Sequence, residues 1–162
     1  MTPIAGRLAI SLEAETRRTY DQWFFKWHSI GEQRTTEIDN FRGGYIRYGG
    51  IKFSGTARLV YWDTISFYLR KKISDLFDEV EVAIKDYPIE LRPAAIAECQ
   101  TLIVAFTATI KNAAMEKDRI LRGDGINFPP RDEHHRWEGA DEFSIQSRAD
   151  GLRSTYCVLQ NK

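Results

Sequence analysis

The segment Asp132-Glu133-His134-His135 concentrates the side chains best suited to bind a metal ion or to transfer a proton. Imidazole nitrogen and carboxylate oxygen both suit zinc, manganese or iron. Adjacent residues of an extended segment point in opposite directions, however, so His134 and His135 rarely share one metal. Neither HExxH nor a paired ExxH motif is present in the chain. We therefore favour a polar surface loop over a metal site at Asp132, His134 and His135, and we predict no cofactor.

A second distinctive stretch covers residues 43–55, which read GGYIRYGGIKFSG. Glycines let a backbone approach phosphate, basic side chains add charge, and aromatic rings stack on bases. The stretch matches neither GxxxxGK[ST] nor GxGxxG. One interpretation is a structural connection between helices. The alternative is a nucleic-acid or nucleotide-binding module that uses Arg42, Tyr45, Arg47, Tyr48, Lys52 and Arg58.

Two stretches are more apolar than a helix in a lone bundle requires, since such a helix needs about three apolar positions per heptad. The neighbouring rings of Trp23, Phe24 and Trp27 spread wider than that stripe. Residues 96–110 are apolar nearly all round, which is typical of a helix enclosed on several sides. We therefore predict a protein–protein interface formed by Trp23, Phe24, Trp27, Ile103, Phe106 and Ile110.

Composition favours an interaction protein over an enzyme or a nucleic-acid coat. The 162 residues carry 23 basic and 23 acidic side chains, so the formal net charge is zero. Nucleic-acid coating proteins usually have a basic excess, and a neutral chain associates with itself more easily. We expect a non-enzymatic helical protein that self-associates or serves as an accessory subunit of a larger assembly.

The two cysteines, Cys99 and Cys157, form no disulfide framework and no metal-binding spacing. Reduced cysteines favour a cytoplasmic location. The uncharged run within 94–114 is shorter than the roughly 20 residues that a membrane span needs, because Glu98 and Lys111 interrupt it. We expect a buried core helix there and no membrane partner.

The elements that would position these residues are predicted to be long helices. The first begins at Thr2, with Pro3 at its first position, or at Ser11, and it ends at Gly43-Gly44 with an optional break near Gly31. Residues 43–55 then form a loop or a short hairpin that turns at Gly49-Gly50.

A second helix is predicted from about Thr56 to Tyr87, since apolar residues repeat every seven positions from Trp62. The third runs from Pro93 to Arg122, and an irregular loop covers 123–139. A fourth helix is expected from about Ala140. The predicted fold is all-α, a single domain over 1–162 built as an elongated antiparallel bundle of three long helices plus this C-terminal helix.

Overall fold

The structure, a computed structural model, describes residues 1–27, 35–49, 56–122 and 137–158. It confirms the all-α class, because four long helices account for most of these residues. They are α1 (Pro3–Arg18), α3 (Thr56–Lys85), α4 (Arg92–Arg122) and α5 (Glu142–Tyr156). The shorter elements in the described ranges are a π-helix (Thr19–Phe24), α2 (Phe25–Trp27), β1 (Thr35–Asp39), β2 (Tyr45–Gly49) and a 3-10 turn (Ile89–Leu91).

Helix α1 starts at Pro3, the earlier of the two predicted starts. Proline is suited to this position because its missing N–H would have no helical partner. The preceding residue, Thr2, is held by Glu98, whose Oε2 accepts bonds from the Thr2 backbone N at 2.6 Å and from Oγ1 at 2.8 Å. These bonds lower the pKa of the Glu98 carboxyl, the backbone bond contributing most.

The predicted continuation of the first helix to Gly43 is wrong, because residues 35–39 form a strand. This strand pairs antiparallel with β2, and Ile38 lies opposite Ile46 in the register. Thr36 and Ile38 alternate in sequence with Glu37 and Asp39, which suits a strand with one buried face, and Ile38 is fully buried. The break that was considered near Gly31 falls outside the described residues.

The hairpin of β1 and β2 turns at residues 40–44. The predicted turn at Gly49-Gly50 involves residues outside the described ranges and stays a prediction. The Asn40 side-chain oxygen accepts bonds from the backbone N of Arg42 at 2.8 Å and of Gly44 at 3.0 Å. Asparagine commonly stabilises turns in this way. Phe41 adopts a left-handed backbone with φ of 56°, and its amide donates to Asp39 Oδ1 at 2.7 Å. The turn is therefore held by side-chain acceptors.

Helix α3 confirms the seven-residue pattern. Trp62, Leu69 and Leu76 are all buried. The charged face that includes Arg70, Lys71 and Asp78 is exposed, as expected for a solvated side. The helix ends at Lys85, three residues before Pro88, because the residue before a proline disfavours helical geometry.

Helix α4 begins at Arg92 and has one buried face. Its buried residues recur in steps of three and four, which is the spacing of a single stripe: Ala95, Ile96, Cys99, Ile103, Phe106, Thr107, Ile110, Ala114 and Asp118. This chain alone does not enclose the helix on several sides, because Ala105, Ala108 and Thr109 are exposed. Among the described residues, the stretch Ile89–Ile120 is long and apolar enough to cross a membrane, a property that core helices of soluble proteins share.

Helix α5 begins two residues after the predicted Ala140, with Asp141 as its N-cap. The Asp141 Oδ1 accepts a bond from the Ser144 backbone N at 2.8 Å, which satisfies one of the free amides of the first turn.

Arg92 joins the C-terminal end of α5 to the residues that follow α3. Its guanidinium donates to the carbonyls of Tyr156 at 3.0 Å and of Tyr87 at 2.8 Å.

The described chain divides into two compact units, each with its own core. The first unit comprises 1–13, 69–108 and 137–162, and aliphatic side chains from α1, α3, α4 and α5 fill its core. The second comprises 14–68 and 109–136, and its core is aromatic. The single-domain organisation of the chain stays a prediction.

Candidate functional site

The six residues predicted as an interface are buried inside the chain itself. Trp23, Phe24 and Trp27 lie in the aromatic core of the second unit, and Ile103, Phe106 and Ile110 lie on the buried face of α4. For Trp23 the physical reason is the hairpin, whose Phe41 ring lies 5.7 Å from the indole, a covering surface that helical periodicity alone does not anticipate. A contact surface for a partner must therefore use other side chains.

The aromatic core is organised around Trp23. Its ring stacks on Tyr61 with a centroid distance of 5.3 Å, and Trp27 meets it edge-on at 5.6 Å. The indole N–H of Trp23 donates to the Asp39 carbonyl at 2.9 Å, which ties the helical segment to the hairpin. Such ring pairs contribute about 0.5–1.5 kcal/mol each beyond their buried area.

The π-helix, Thr19–Phe24, follows directly on α1. Such segments are rare and often occur at functional sites. A buried network fixes this one: the Tyr68 hydroxyl donates to Glu15 Oε1 at 2.6 Å and lies 2.9 Å from Thr19 Oγ1. Burial, together with the bond to Glu15, raises the pKa of Tyr68. The tyrosine therefore stays protonated and donating at neutral pH.

An apolar groove of about 510 Å³ opens between the π-helical segment and the C-terminal half of α4, within the second unit. Phe25 is 65% exposed at this groove, and Tyr20 and Ile120 are also exposed. Phe24 lines it as well, although that ring is almost entirely buried. The remaining lining residues are polar or small, and they are Asp21, Asn112, Ala113, Glu116 and Lys117.

The charges at the groove are of both signs. Asp21 and Glu116 are acidic, whereas Lys117 is basic and Arg119 pairs with Glu116 at 2.7 Å. The hydrogen bond from Arg119 lowers the pKa of Glu116, and burial lowers the pKa of Lys117. The groove therefore combines apolar side chains with two acidic residues and one basic residue, and Arg119 pairs with one of those acidic residues from outside the lining.

The part of α4 that lines the groove is anchored to α3 by the buried carboxylate of Asp118. Asp118 accepts bonds from Arg58 at 2.9 and 3.2 Å and from the indole N–H of Trp62 at 3.0 Å. The Tyr61 hydroxyl donates to the Ala114 carbonyl at 2.7 Å, one helical turn earlier on α4. Burial raises the pKa of Tyr61, and the nearby Asp118 charge adds to the effect.

The arginines of the predicted nucleic-acid site are each engaged with an acidic residue. Arg42 pairs with Asp63 at 3.0 Å and lies over the Phe67 ring, and Arg47 pairs with Glu37 at 2.7 Å. Arg58 is mostly turned away from solvent, since its side chain is 13% exposed and pairs with the buried Asp118. Local carboxylates thus offset the positive charge that phosphate binding requires.

The other members of that predicted site are only partly described. Tyr45 is exposed on β2, which leaves its ring accessible for stacking. Tyr48 lies on the same strand, and Lys52 falls outside the described residues. The structure therefore brings Arg42, Tyr45 and Arg47 to one hairpin and places Arg58 apart from them in the core.

The metal candidates Asp132, His134 and His135 lie outside the described residues. Among the residues that are described, no group of three or more His, Cys, Asp or Glu side chains is arranged to hold a metal ion. Cys99 and Cys157 are free thiols, the first buried and the second half-buried.

Comparison of the chain with protein-family models, with curated proteins and with solved structures finds no significant match.

Sequence reasoning missed the groove because its apolar rim comes from two elements. Of its lining residues only Phe24 belonged to the predicted interface, and the exposed Tyr20, Phe25 and Ile120 stood outside it. The sequence carries no signal that separates Phe24 from Phe25, because adjacent large side chains are both buried elsewhere in the described residues, as Tyr61 and Trp62 are.

Proposed function

We propose that the protein is a non-enzymatic helical interaction protein that self-associates through the groove formed by the π-helical segment and α4. The observation that carries this proposal is the cluster of exposed apolar side chains, Tyr20, Phe25 and Ile120, around a concave surface of about 510 Å³. Aromatic side chains at the centre of a contact surface contribute most of the binding free energy in many interfaces.

The charges of the groove favour a second copy of this chain as the occupant. A two-fold interface must be complementary to itself, because the same patch is present on both subunits. The lining carries both signs, with Asp21 and Glu116 acidic and Lys117 basic, so two copies of the patch would not repel each other as two patches of one sign would. The zero net charge of the whole chain also removes long-range repulsion between copies.

The spacing of the α4 lining residues supports pairing along a helix. Asn112, Ala113, Glu116, Lys117 and Ile120 recur in steps of three and four, so they follow one face of α4. Ala113 is small, which permits close approach of a second helix at that point. This face of α4 could pack against the same face of α4 in a second copy.

Sedimentation velocity over a concentration series from about 1 to 100 µM tests this function, since micromolar dissociation constants are ordinary for such contacts. We expect the sedimentation coefficient to rise with concentration. A monomer throughout that series contradicts self-association.

The same experiment with short RNA and DNA duplexes tests the nucleic-acid alternative of the hairpin. Co-sedimentation that weakens with salt and is lost on changing Arg42 and Arg47 to Ala would favour that alternative over self-association.

A further inference from the structure

Strand β2 of the hairpin has an open edge. The hairpin is a two-stranded sheet, so within the described ranges β1 is the one strand neighbour of β2. The outer edge of β1 differs, because the Asp39 carbonyl accepts the indole N–H of Trp23 at 2.9 Å. An exposed strand edge carries unpaired N–H and C=O groups and is a template for pairing with another chain. A further strand can therefore add to the hairpin at β2.

The bond that closes the hairpin determines which pairs of the ladder are hydrogen-bonded. The Asn40 N–H donates to the Gly44 carbonyl at 3.0 Å. Along an antiparallel ladder, hydrogen-bonded pairs alternate with pairs that exchange no bonds. The next hydrogen-bonded pair is therefore Ile38 with Ile46, which lies two residues further from the turn on each strand.

Tyr45 and Arg47 occupy the alternate positions of β2, which are not hydrogen-bonded to β1. Their N–H and C=O groups consequently point away from β1, toward the open edge. Neither residue makes a further backbone bond in the described part of the chain. Their side chains share one face of the strand, and both are accessible, since Tyr45 is 65% exposed and the Arg47 side chain 72%. The open edge thus presents backbone donors and acceptors beside a ring and a guanidinium.

These features fit the same edge of a second copy. When two β2 strands run antiparallel about a two-fold axis at Ile46, Tyr45 of each copy lies opposite Arg47 of the other. Both residues have outward backbone groups, so each such pair exchanges two N–H···O bonds. The tyrosine ring and the guanidinium then meet on one face across the two strands, which is a favourable cation–π arrangement.

Charge selects this register over the adjacent one. A two-fold axis at Arg47 would place two guanidinium groups directly opposite each other, and like charges in that arrangement are destabilising. With the axis at Ile46, each guanidinium faces a ring and keeps its own carboxylate, since Arg47 Nε lies 2.7 Å from Glu37 Oε1. That ion pair offsets the positive charge of the edge, so two copies can approach without strong repulsion.

We propose that β2 pairs edge to edge with β2 of a second copy, so that the two hairpins form one continuous sheet across the two-fold axis. This surface is separate from the groove of the proposed function, because neither Tyr45 nor Arg47 lines that groove. It is the weaker of the two contacts, since it is formed by main-chain bonds and one exposed ring. A chain that uses both contacts assembles beyond a dimer, whereas either contact alone stops at a dimer.

Two substitutions at one position test the backbone bonds of the edge. Arg47→Pro removes the outward N–H, and the hairpin keeps its own ladder because this N–H is not bonded to β1. The matched control is Arg47→Thr, which removes the same side chain and its ion pair but keeps the N–H. Both are made in the Phe25→Asp protein, in which an acidic group disrupts the groove, so the result does not depend on the proposed function.

Sedimentation equilibrium from about 10 µM to about 1 mM measures the dimer of each protein, a range that suits weak contacts. We expect Phe25→Asp alone to dimerise at the upper end of this range. Addition of Arg47→Thr should raise the dissociation constant about threefold, and Arg47→Pro at least about tenfold. Equal dissociation constants for the proline and threonine variants, or a Phe25→Asp protein that is monomeric throughout, overturns the proposal.

Amide hydrogen exchange followed by NMR locates the contact and verifies the hairpin. As the concentration of the Phe25→Asp protein rises, the Tyr45 and Arg47 amides should exchange more slowly, whereas the Ile46 amide, already bonded to Ile38, should not change. A protected Ile46 amide in Arg47→Pro shows that the hairpin is intact. If that protection is lost, Tyr45→Pro, which removes the other outward N–H, is compared with Tyr45→Thr instead. Exchange at Tyr45 that is independent of concentration overturns the proposal.

Discussion

Arg58 and Asp118 form a two-contact ion pair that joins the beginning of α3 to the last turns of α4. The two contacts measure 2.9 and 3.2 Å, and Asp118 is only 1% exposed. A buried charge is tolerated only when it is paired and hydrogen-bonded, and Trp62 supplies a third bond to the same carboxylate. Lys117 and Ile120 of the groove flank Asp118 in sequence, so this pair fixes the backbone that presents them.

The first prediction concerns this carboxylate. Asp118→Ala leaves the Arg58 charge buried without its partner, so we expect the free energy of unfolding to fall by about 3–5 kcal/mol. The matched control is Asp63→Ala, which removes the exposed partner of Arg42 and should cost about 0–1 kcal/mol. Urea unfolding followed by circular dichroism measures both values. Equal costs for the two variants would show that the buried pair does not stabilise the fold.

A second prediction compares two buried tyrosine hydroxyls. Tyr68 donates to the Glu15 carboxylate, whereas Tyr61 donates to the Ala114 carbonyl. Bonds to charged groups contribute about 1.5–3 kcal/mol and neutral ones about 0.5–1.5 kcal/mol, so Tyr68→Phe should destabilise more than Tyr61→Phe. Thermal unfolding of the two single variants decides the order. If Tyr61→Phe destabilised the protein more than Tyr68→Phe, the bond from Tyr68 to the Glu15 carboxylate would not be the stronger of the two.

The pKa shifts predict a loss of stability in alkaline solution. Burial raises the pKa of Cys99 to about 11 and raises the pKa values of Tyr61 and Tyr68. The unfolded chain releases these protons first, at about pH 8.5 for cysteine and about pH 10 for tyrosine. Between those values and the folded pKa, the native state binds more protons, so its stability falls as pH rises.

Unfolding in urea at a series of pH values from 7 to 11 measures this dependence. Cys99→Ala should flatten the decline that begins near pH 8.5, and Tyr68→Phe should flatten the part above about pH 10. Stability that is constant over the series would contradict the burial of these groups.

A fourth prediction uses two glycines that should respond with opposite signs. Gly139→Ala forces a side chain into a left-handed conformation against the Arg70 stem, so we expect a loss of about 1–3 kcal/mol. Gly151 lies within α5, and a Cβ atom there meets nothing within 4 Å. Gly151→Ala should therefore stabilise by about 0.5–1 kcal/mol through helix propensity. Chemical denaturation of both variants tests the pair, and a stabilised Gly139→Ala protein would refute the first half.

The helices α3, α4 and α5 could be predicted from the sequence because their signals are local. Helical spacing is visible in the seven-residue repeat from Trp62 in α3 and in the buried Ile145, Ala149 and Leu152 of α5. The prolines Pro88 and Pro93 mark the end of α3 and the beginning of α4. Periodicity of this kind depends only on neighbouring turns of one helix.

The segments 19–27 and 35–49 could not be predicted because tertiary contacts determine their structure. Its apolar residues also fit a helix with steps of three and four, and the strand at 35–39 acquires its partner only when β2 pairs with it. The π-helix depends on Tyr68, which lies 49 residues after Thr19 in the chain. A pattern in one short window cannot reveal such a contact.

The candidate sites were harder to predict than the fold for a related reason. An excess of apolar residues around Trp23 was recognised, but which of them remain exposed depends on how the hairpin covers the cluster. Phe25 is the exposed member, while its neighbour Phe24 is buried. The Arg70–Gly139 contact joins residues 69 positions apart, and a Cβ atom at position 139 would lie only 2.8 Å from Cγ of Arg70.

Sedimentation equilibrium on three proteins, the unmodified chain, Phe25→Asp and Val82→Asp, tests the proposed groove most directly. Both substitutions place one acidic group at an exposed apolar position, but Val82 does not line the groove. We predict that Phe25→Asp raises the dimer dissociation constant at least about tenfold, as expected for a central aromatic contact, and that Val82→Asp leaves it unchanged. Identical dissociation constants for all three proteins would contradict self-association through this groove.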